Sequence, residues 1–148
     1  MGAYETVLPV RFGQVDYAGI MFYPRFFENF HAVFEDMFGE RLGVPYMSIL
    51  QDRRIGFPTV SISTDFKKPF RFGEPMRLRL DVLALGRTSI TFRYRGFNGD
   101  EQTPSVEARG TVVVIDLDTF ERLPIPDDIR GVCEDLLAED ATSATPRA

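Results

Sequence analysis

A chain of 148 residues is long enough for one sizeable hydrophobic core and short for two. Its single cysteine, Cys133, and single histidine, His31, argue against disulfides, a Cys/His metal cluster and a Ser-His-Asp triad with a histidine to spare, which leaves carboxylates, hydroxyls and backbone for any chemistry. A formal net charge of -5 speaks against general nucleic-acid binding, which depends on neutralising phosphates.

No apolar run approaches the roughly 18 residues of a membrane-spanning helix. The amino terminus lacks the basic, then apolar, then small-residue layout of a secretory signal, so a cytoplasmic protein with no membrane partner is expected. The charge is unevenly spread: residues 1–64 carry five basic and seven acidic side chains, residues 65–95 eight and three, residues 96–148 four and twelve. The positive middle is either a local seat for an anionic ligand or the solvated face of basic strands, and charge alone leaves both open.

In chain order, Thr6 to Phe12 (TVLPVRF) alternates so that Leu8, Val10 and Phe12 share a face, and Pro9 suits a strand at a sheet edge. From Pro24 to Phe38 the residues Phe26, Phe27, Phe30, Val33, Phe34, Met37 and Phe38 recur at helical spacing, with Arg25, Glu28, Asn29, Glu35 and Asp36 opposite. Gly39 or Gly43 ends this helix. Residues 44–56 read as a loop.

Period-2 alternation follows: Val60, Ile62, Thr64 and Phe66; Met76, Leu78, Leu80 and Val82; Ile90, Phe92 and Tyr94; then Val106, Ala108, Val112 and Val114. Turn chemistry at FGEP, LGRT and NGDE separates the last three runs from what precedes them, predicting a four-strand antiparallel meander. Ile129, Val132, Cys133, Leu136 and Leu137 again show helical spacing, with Asp127 and Asp128 favouring its start, and Cys133 reads as a buried structural thiol. Residues 139–148 have no core-forming pattern and read as a frayed tail behind a domain of residues 1–138. A long helix followed by long strands with one apolar face predicts an α+β fold, an antiparallel sheet of about five strands curled around a central helix.

The stretch VDYAGIMFYPRFFENF (Val15 to Phe30) carries what chemistry the sequence offers. Pro24 suits a first helical turn, and Tyr23 before it has no capping side chain. The backbone N–H groups of Tyr23, Arg25 and Phe26 are therefore candidate free donors at the positive end of a helix, suited to an acyl oxygen gathering negative charge. Gly19 allows a sharp turn that would bring Asp16 near them. A carboxylate beside such donors suits a thioester, because a thiol, with a pKa of about 8.5, leaves without a dedicated general acid. Asp first and Gly fourth in DYAG equally satisfy a type I turn, and both roles can hold together.

Asp16 to Phe27 (DYAGIMFYPRFF) resembles the signature of the 4-hydroxybenzoyl-CoA thioesterase family: an Asp, an Ala-Gly-Ile turn, an aromatic pair and the start of a central helix. The order of elements from about Thr6 to Leu137 is similar to that family's hotdog fold. The resemblance implies that Asp16 is nucleophile or general base on an acyl-CoA thioester, that Gly19 shapes its turn, and that the Tyr23 N–H binds the thioester oxygen. It also implies a homodimer with sheets joined edge to edge, often paired into a homotetramer, with the active site between subunits. No cofactor or metal is expected.

Leu85 to Ser89 (LGRTS) is similar to the turn that family members use near the CoA phosphates, so Arg87 and Thr88, with Lys67 and Lys68 of the same positive segment, are assigned to CoA. Phe22, first of the aromatic pair, and His31, at the edge of the helix's apolar stripe, are assigned to the substrate, with a satisfied, partly buried histidine as the other reading of His31. Two rival functions stand beside the hydrolase. An acyl-thioester hydratase or dehydratase would need a histidine paired with an acid, a motif not evident around His31; a non-catalytic acyl-CoA binding module would use Asp16 only to shape its turn.

Overall fold

In the computed structural model, which describes residues 2–141, the elements run β1 (Tyr4–Pro9), α1 (Tyr23–Met37), α2 (Tyr46–Gln51), β2 (Ile55–Gly56), β3 (Thr59–Phe66), β4 (Pro75–Leu85), β5 (Ser89–Asn98), β6 (Val106–Val113), β7 (Ile115–Asp116) and α3 (Asp127–Asp135). Five strands form one antiparallel sheet in the order β1-β4-β5-β6-β3, and β2 pairs with β7 apart from it. This is the α+β hotdog arrangement: the apolar stripe of α1 lies on one face of the sheet, where Phe30 stacks on Tyr94 at 5.0 Å and Phe34 meets Phe92 edge-on at 5.4 Å. A cluster of buried hydrophobic side chains runs from Val10 through α1 and the strands to Leu136.

Four local expectations are corrected. The first strand stops at Pro9, where the missing N–H ends the ladder, and Phe12 opens a short 3-10 turn with its side chain 77% exposed. Only β4, β5 and β6 form a meander; β3 crosses to the far side of β6, pairing Ile62 with Gly110 and Phe66 with Val106. Within residues 44–56, Pro45 opens the short helix α2, whose Ile49 is fully buried. Asn29 lies on the buried stripe of α1, as its spacing from Phe26 and Val33 dictates.

Past α1 the chain winds through one wider turn, Phe38–Leu42, and stops at Gly43, which takes the left-handed conformation (φ 77°) that residues with a Cβ disfavour. Of the segment 139–148, residues 142–148 lie outside the described residues; Ala138 donates its N–H to the Val82 carbonyl at 2.9 Å, and Asp140 bonds to Arg93.

Gly96 of β5 permits the closest approach in the sheet. A Cβ there would lie 2.7 Å from Val106 Cγ1 and 3.2 Å from Phe70 Cζ. Gly96→Ala is expected to cost about 1–3 kcal/mol through overpacking. Urea unfolding measures this, and an unchanged midpoint would show that the Val106 side chain gives way freely.

Candidate functional site

Beyond β1, Val15 and Met21 form an antiparallel bridge that closes a tight loop around Asp16. The Asp16 N–H donates to the Ile20 carbonyl and the Gly19 N–H to the Asp16 carbonyl, both at 2.9 Å. Asp16 Oδ1 accepts the Ala18 N–H at 2.8 Å, an Asx turn, and Gly19 supplies the positive φ of 78° that the reversal needs. Asp16 is thus a turn residue in fact. Its Oδ2 has no hydrogen-bond partner among the described residues, and the side chain is exposed beside a cavity of about 550 Å³ flanked by Phe12, Tyr17 and Phe72.

The loop is fastened where it meets α1. The Phe22 N–H donates to the Gln14 carbonyl at 2.9 Å, the Met21 N–H to the Phe70 carbonyl at 2.8 Å, and Gln14 Nε2 to Asn29 Oδ1 at 3.2 Å. Phe22, rather than Tyr23, occupies the cap position, in extended conformation and with no side-chain cap. The Arg25 N–H already donates to the Phe22 carbonyl at 2.9 Å, so it is not free. The Tyr23 N–H, first in the helix, has no partner among the described residues. On the ladder Asp16 stands opposite Ile20, three residues before Tyr23, a separation of about 10 Å at strand rise.

Tyr23 faces a second cavity, of about 340 Å³, together with Phe26, Phe66, Lys67 and Lys68. The backbone N–H groups of Lys67 and Lys68 both donate to the Ser105 carbonyl, at 2.8 and 3.0 Å, which fixes the main chain at the end of β3, and Lys68 Nζ lies 3.4 Å from Glu101 Oε1. A third, apolar slot of about 240 Å³ lies between α1 and the β3 side of the sheet, lined by Phe27, Phe30, His31, Ile62 and Tyr94. His31 is exposed, not partly buried, and its Nε2 lies 3.0 Å from Glu35 Oε2 one helical turn on. The acid absent from the expectation for His31 is therefore present, on the same helix face. Burial raises the Tyr94 hydroxyl well above its ordinary pKa, so it stays protonated and able to donate.

Arg87 and Thr88 do not join this group. They sit in the turn after β4, whereas the Asp16 loop is bonded to the chain just before β4, through Phe72 N–H to Gly19 carbonyl at 3.0 Å. The length of β4, about 30 Å, separates them. Arg87 is exposed; Thr88 is buried, its carbonyl accepting the Val114 N–H at 2.8 Å. Gln14, Asn29 and Tyr94 went unassigned in the sequence; an amide on an otherwise apolar stripe was the available signal for Asn29.

Cys133 is fully buried, and burial pushes its thiol up to about 12, which removes it as a nucleophile. Among the described residues no group of three His, Cys, Asp or Glu side chains could hold a metal ion, and no helix is long and apolar enough to cross a membrane.

The family described as Thioesterase-like superfamily matches residues 10–132. A 1,4-dihydroxy-2-naphthoyl-CoA hydrolase of Synechococcus elongatus is 25% identical over 131 residues, covering 88% of this chain and 94% of that protein. Among solved structures, a 1,4-dihydroxy-2-naphthoyl-CoA thioesterase from Synechocystis superposes with a TM-score of 0.82 at 19% identity, covering 91% of this chain and 98% of the other. A gentisyl-coenzyme A thioesterase does so with a TM-score of 0.75 at 27% identity, covering 86% and 99%.

Proposed function

The chain belongs to the Thioesterase-like superfamily, and on that premise we propose that it is an acyl-CoA thioester hydrolase whose chemistry is carried by Asp16 and the Tyr23 N–H. The observation behind this reading is the Tyr23 N–H at the start of a fifteen-residue helix, unpartnered among the described residues, and joined through one short loop to Asp16, whose Oδ2 likewise has no partner among them. The thioester carbonyl oxygen accepts the Tyr23 N–H, where the helix dipole favours the negative charge that develops as the carbon becomes tetrahedral. Ionised Asp16 either attacks that carbon, giving an acyl-enzyme anhydride that water then opens, or removes a proton from the attacking water. The C–S bond breaks and CoA leaves as thiolate.

The acyl group in this reading is aromatic. The Phe27, Phe30 and Tyr94 slot offers flat apolar walls with the Tyr94 hydroxyl and His31 as polar contacts, and the named relatives act on naphthoyl and gentisyl thioesters. Phe22, half-exposed beside Tyr23, borders the entry. Lys67 and Lys68 meet the CoA phosphates near the helix start, while Arg87 and Thr88, a strand length away, serve only the site of a neighbouring subunit. That subunit joins at β3: all but one of its eight residues are exposed, and Val60, Ile62 and Phe66 are each close to half exposed. A cytoplasmic homodimer, assembling further to a homotetramer, and a domain of residues 1–138 belong to the same reading.

His31→Ala is expected to raise KM for a hydroxyaryl-CoA about fivefold, the worth of one hydrogen bond, with kcat changed less than about twofold. Steady-state kinetics on the aryl and hydroxyaryl substrates compares the two; an equal effect on both would remove His31 from the substrate. The function itself is tested by following thiol release from a panel of benzoyl-, hydroxybenzoyl-, hydroxynaphthoyl- and aliphatic CoA thioesters, with aromatic members turned over fastest. One observation favours a second reading, a non-catalytic acyl-CoA binding module: Asp16 Oδ1 is already engaged by Ala18. Tight CoA binding with no turnover across the panel would establish that reading instead.

A further inference from the structure

On the face of the sheet turned away from α1, β4 and β5 carry two adjacent charged rows, with Arg79 opposite Arg95 and Asp81 opposite Arg93. Two guanidinium groups, those of Arg93 and Arg95, share the Asp81 carboxylate, and Arg79 stands beside them. Arg93 grips Asp81 with two bonds, Nε to Oδ1 at 3.0 Å and Nη2 to Oδ2 at 2.7 Å, and Arg95 Nη2 reaches the same Oδ2 at 3.0 Å. Arg95 Nε is left buried with no hydrogen-bond partner among the described residues. Of the other acids nearby, Glu5 bonds Arg77 at 2.8 Å and stands 3.7 Å from Arg79, Glu107 leans toward Arg109, and the exposed Glu139 follows Ala138.

All three arginines line a cavity of about 500 Å³. Burial and the neighbouring Arg93 together lower the pKa of Arg95, the mark of a positive charge short of compensation. Two acids from beyond the sheet, Glu139 and Asp140, also line the cavity, and one of them bonds an arginine. Asp140 Oδ2 accepts Arg93 Nη1 at 2.9 Å, although its side chain is 64% exposed and follows Ala138, where bonding to β4 ends.

We propose that this cavity binds a doubly charged oxyanion of the phosphate-monoester class, held by Arg79 and Arg95 and by the Arg93 Nη1 that Asp140 occupies in its absence. Asp140 is then a built-in competitor: an exposed, displaceable carboxylate seated where the ligand's oxygen would sit. The site lies on the opposite face of the sheet from α1 and does not depend on the thioester reading, so it is tested without an activity assay.

Inorganic phosphate titrated calorimetrically into the full-length protein at constant ionic strength, with chloride as control, is expected to give saturable binding. Asp140→Asn removes the competitor and should tighten binding about two- to fivefold, the worth of an exposed ion pair. Arg95→Gln should weaken it about tenfold, as loss of a charged hydrogen-bond donor does. Asp81 keeps both bonds from Arg93 in that variant, and thermal unfolding checks that the sheet is intact; Arg79→Gln is the second variant, expected to act in the same direction. Heats equal to chloride in both the wild type and Asp140→Asn would overturn the proposal, as would phosphate binding that neither arginine variant weakens.

Discussion

Asp16→Asn is expected to lower kcat for acyl-CoA hydrolysis by about a thousandfold, within the range that a positioned acid–base group supplies, while leaving the unfolding temperature where it was. The separation of the two effects follows from the geometry. Asp16 uses Oδ1 to accept the Ala18 N–H at 2.8 Å, and an asparagine oxygen in the same place accepts it equally well. What asparagine cannot do is attack as a carboxylate or take a proton from water. Asp16→Ala removes the turn acceptor as well, so it should lose the same activity and some stability, which makes it the less informative variant. Thiol release under single-turnover conditions, with circular dichroism on the same samples, measures both quantities. Turnover of Asp16→Asn at the wild-type rate would end the proposed mechanism.

The largest effect on stability is expected at Phe34. Its ring, on α1, meets Phe38 at 5.2 Å, Tyr46 of α2 at 5.4 Å, Phe57 at 5.9 Å and Phe92 of β5 at 5.4 Å, with only 3% of the residue exposed. It therefore ties the central helix to the sheet and to the short helix that covers its far end. Phe34→Ala should cost about 3–5 kcal/mol, through lost burial, a residual cavity and lost edge-to-face contacts. For a chain of this size that lowers the melting temperature by roughly 10–15 °C. A shift of only a few degrees would mean that Tyr46 and Phe57 collapse into the space.

The parts of this fold legible in the sequence are those fixed by local periodicity. The stripe from Phe26 to Phe38 and the alternation of β4, β5 and β6 are repeated over enough residues to stand above composition. The placement of β3 is not local: Phe66 pairs with Val106, forty residues on, and nothing near β3 distinguishes β6 from β4 as its partner. The helix α2 is too short for a periodic signal, six residues after a proline. At Asn29 the spacing points inward and the polar side chain outward, and the spacing prevails.

The candidate site divides in the same way. Asp16, Gly19 and Tyr23 lie within eight consecutive residues, so their common loop was readable from DYAG and the uncapped aromatic before Pro24. The slot beside His31 draws on Tyr94 and Ile62, which only tertiary packing brings to α1. Nor could alternation reveal that Arg93 is buried: its position reads as a solvated strand face, and the paired Asp81 and the returning Asp140 make it otherwise.

The two margins of the sheet are built differently. At β1 the run is short, ends in a proline, and is flanked by Arg41 holding the carbonyls of Gly2 and Ala3, so little is left there to template a further strand. At β3 seven of the eight residues are exposed and no proline interrupts the run. A sheet with one receptive margin and one blunted margin can be extended once only: two copies joined through β3 would present β1 at both ends. Lateral growth then stops at a closed pair, with no route to a filament.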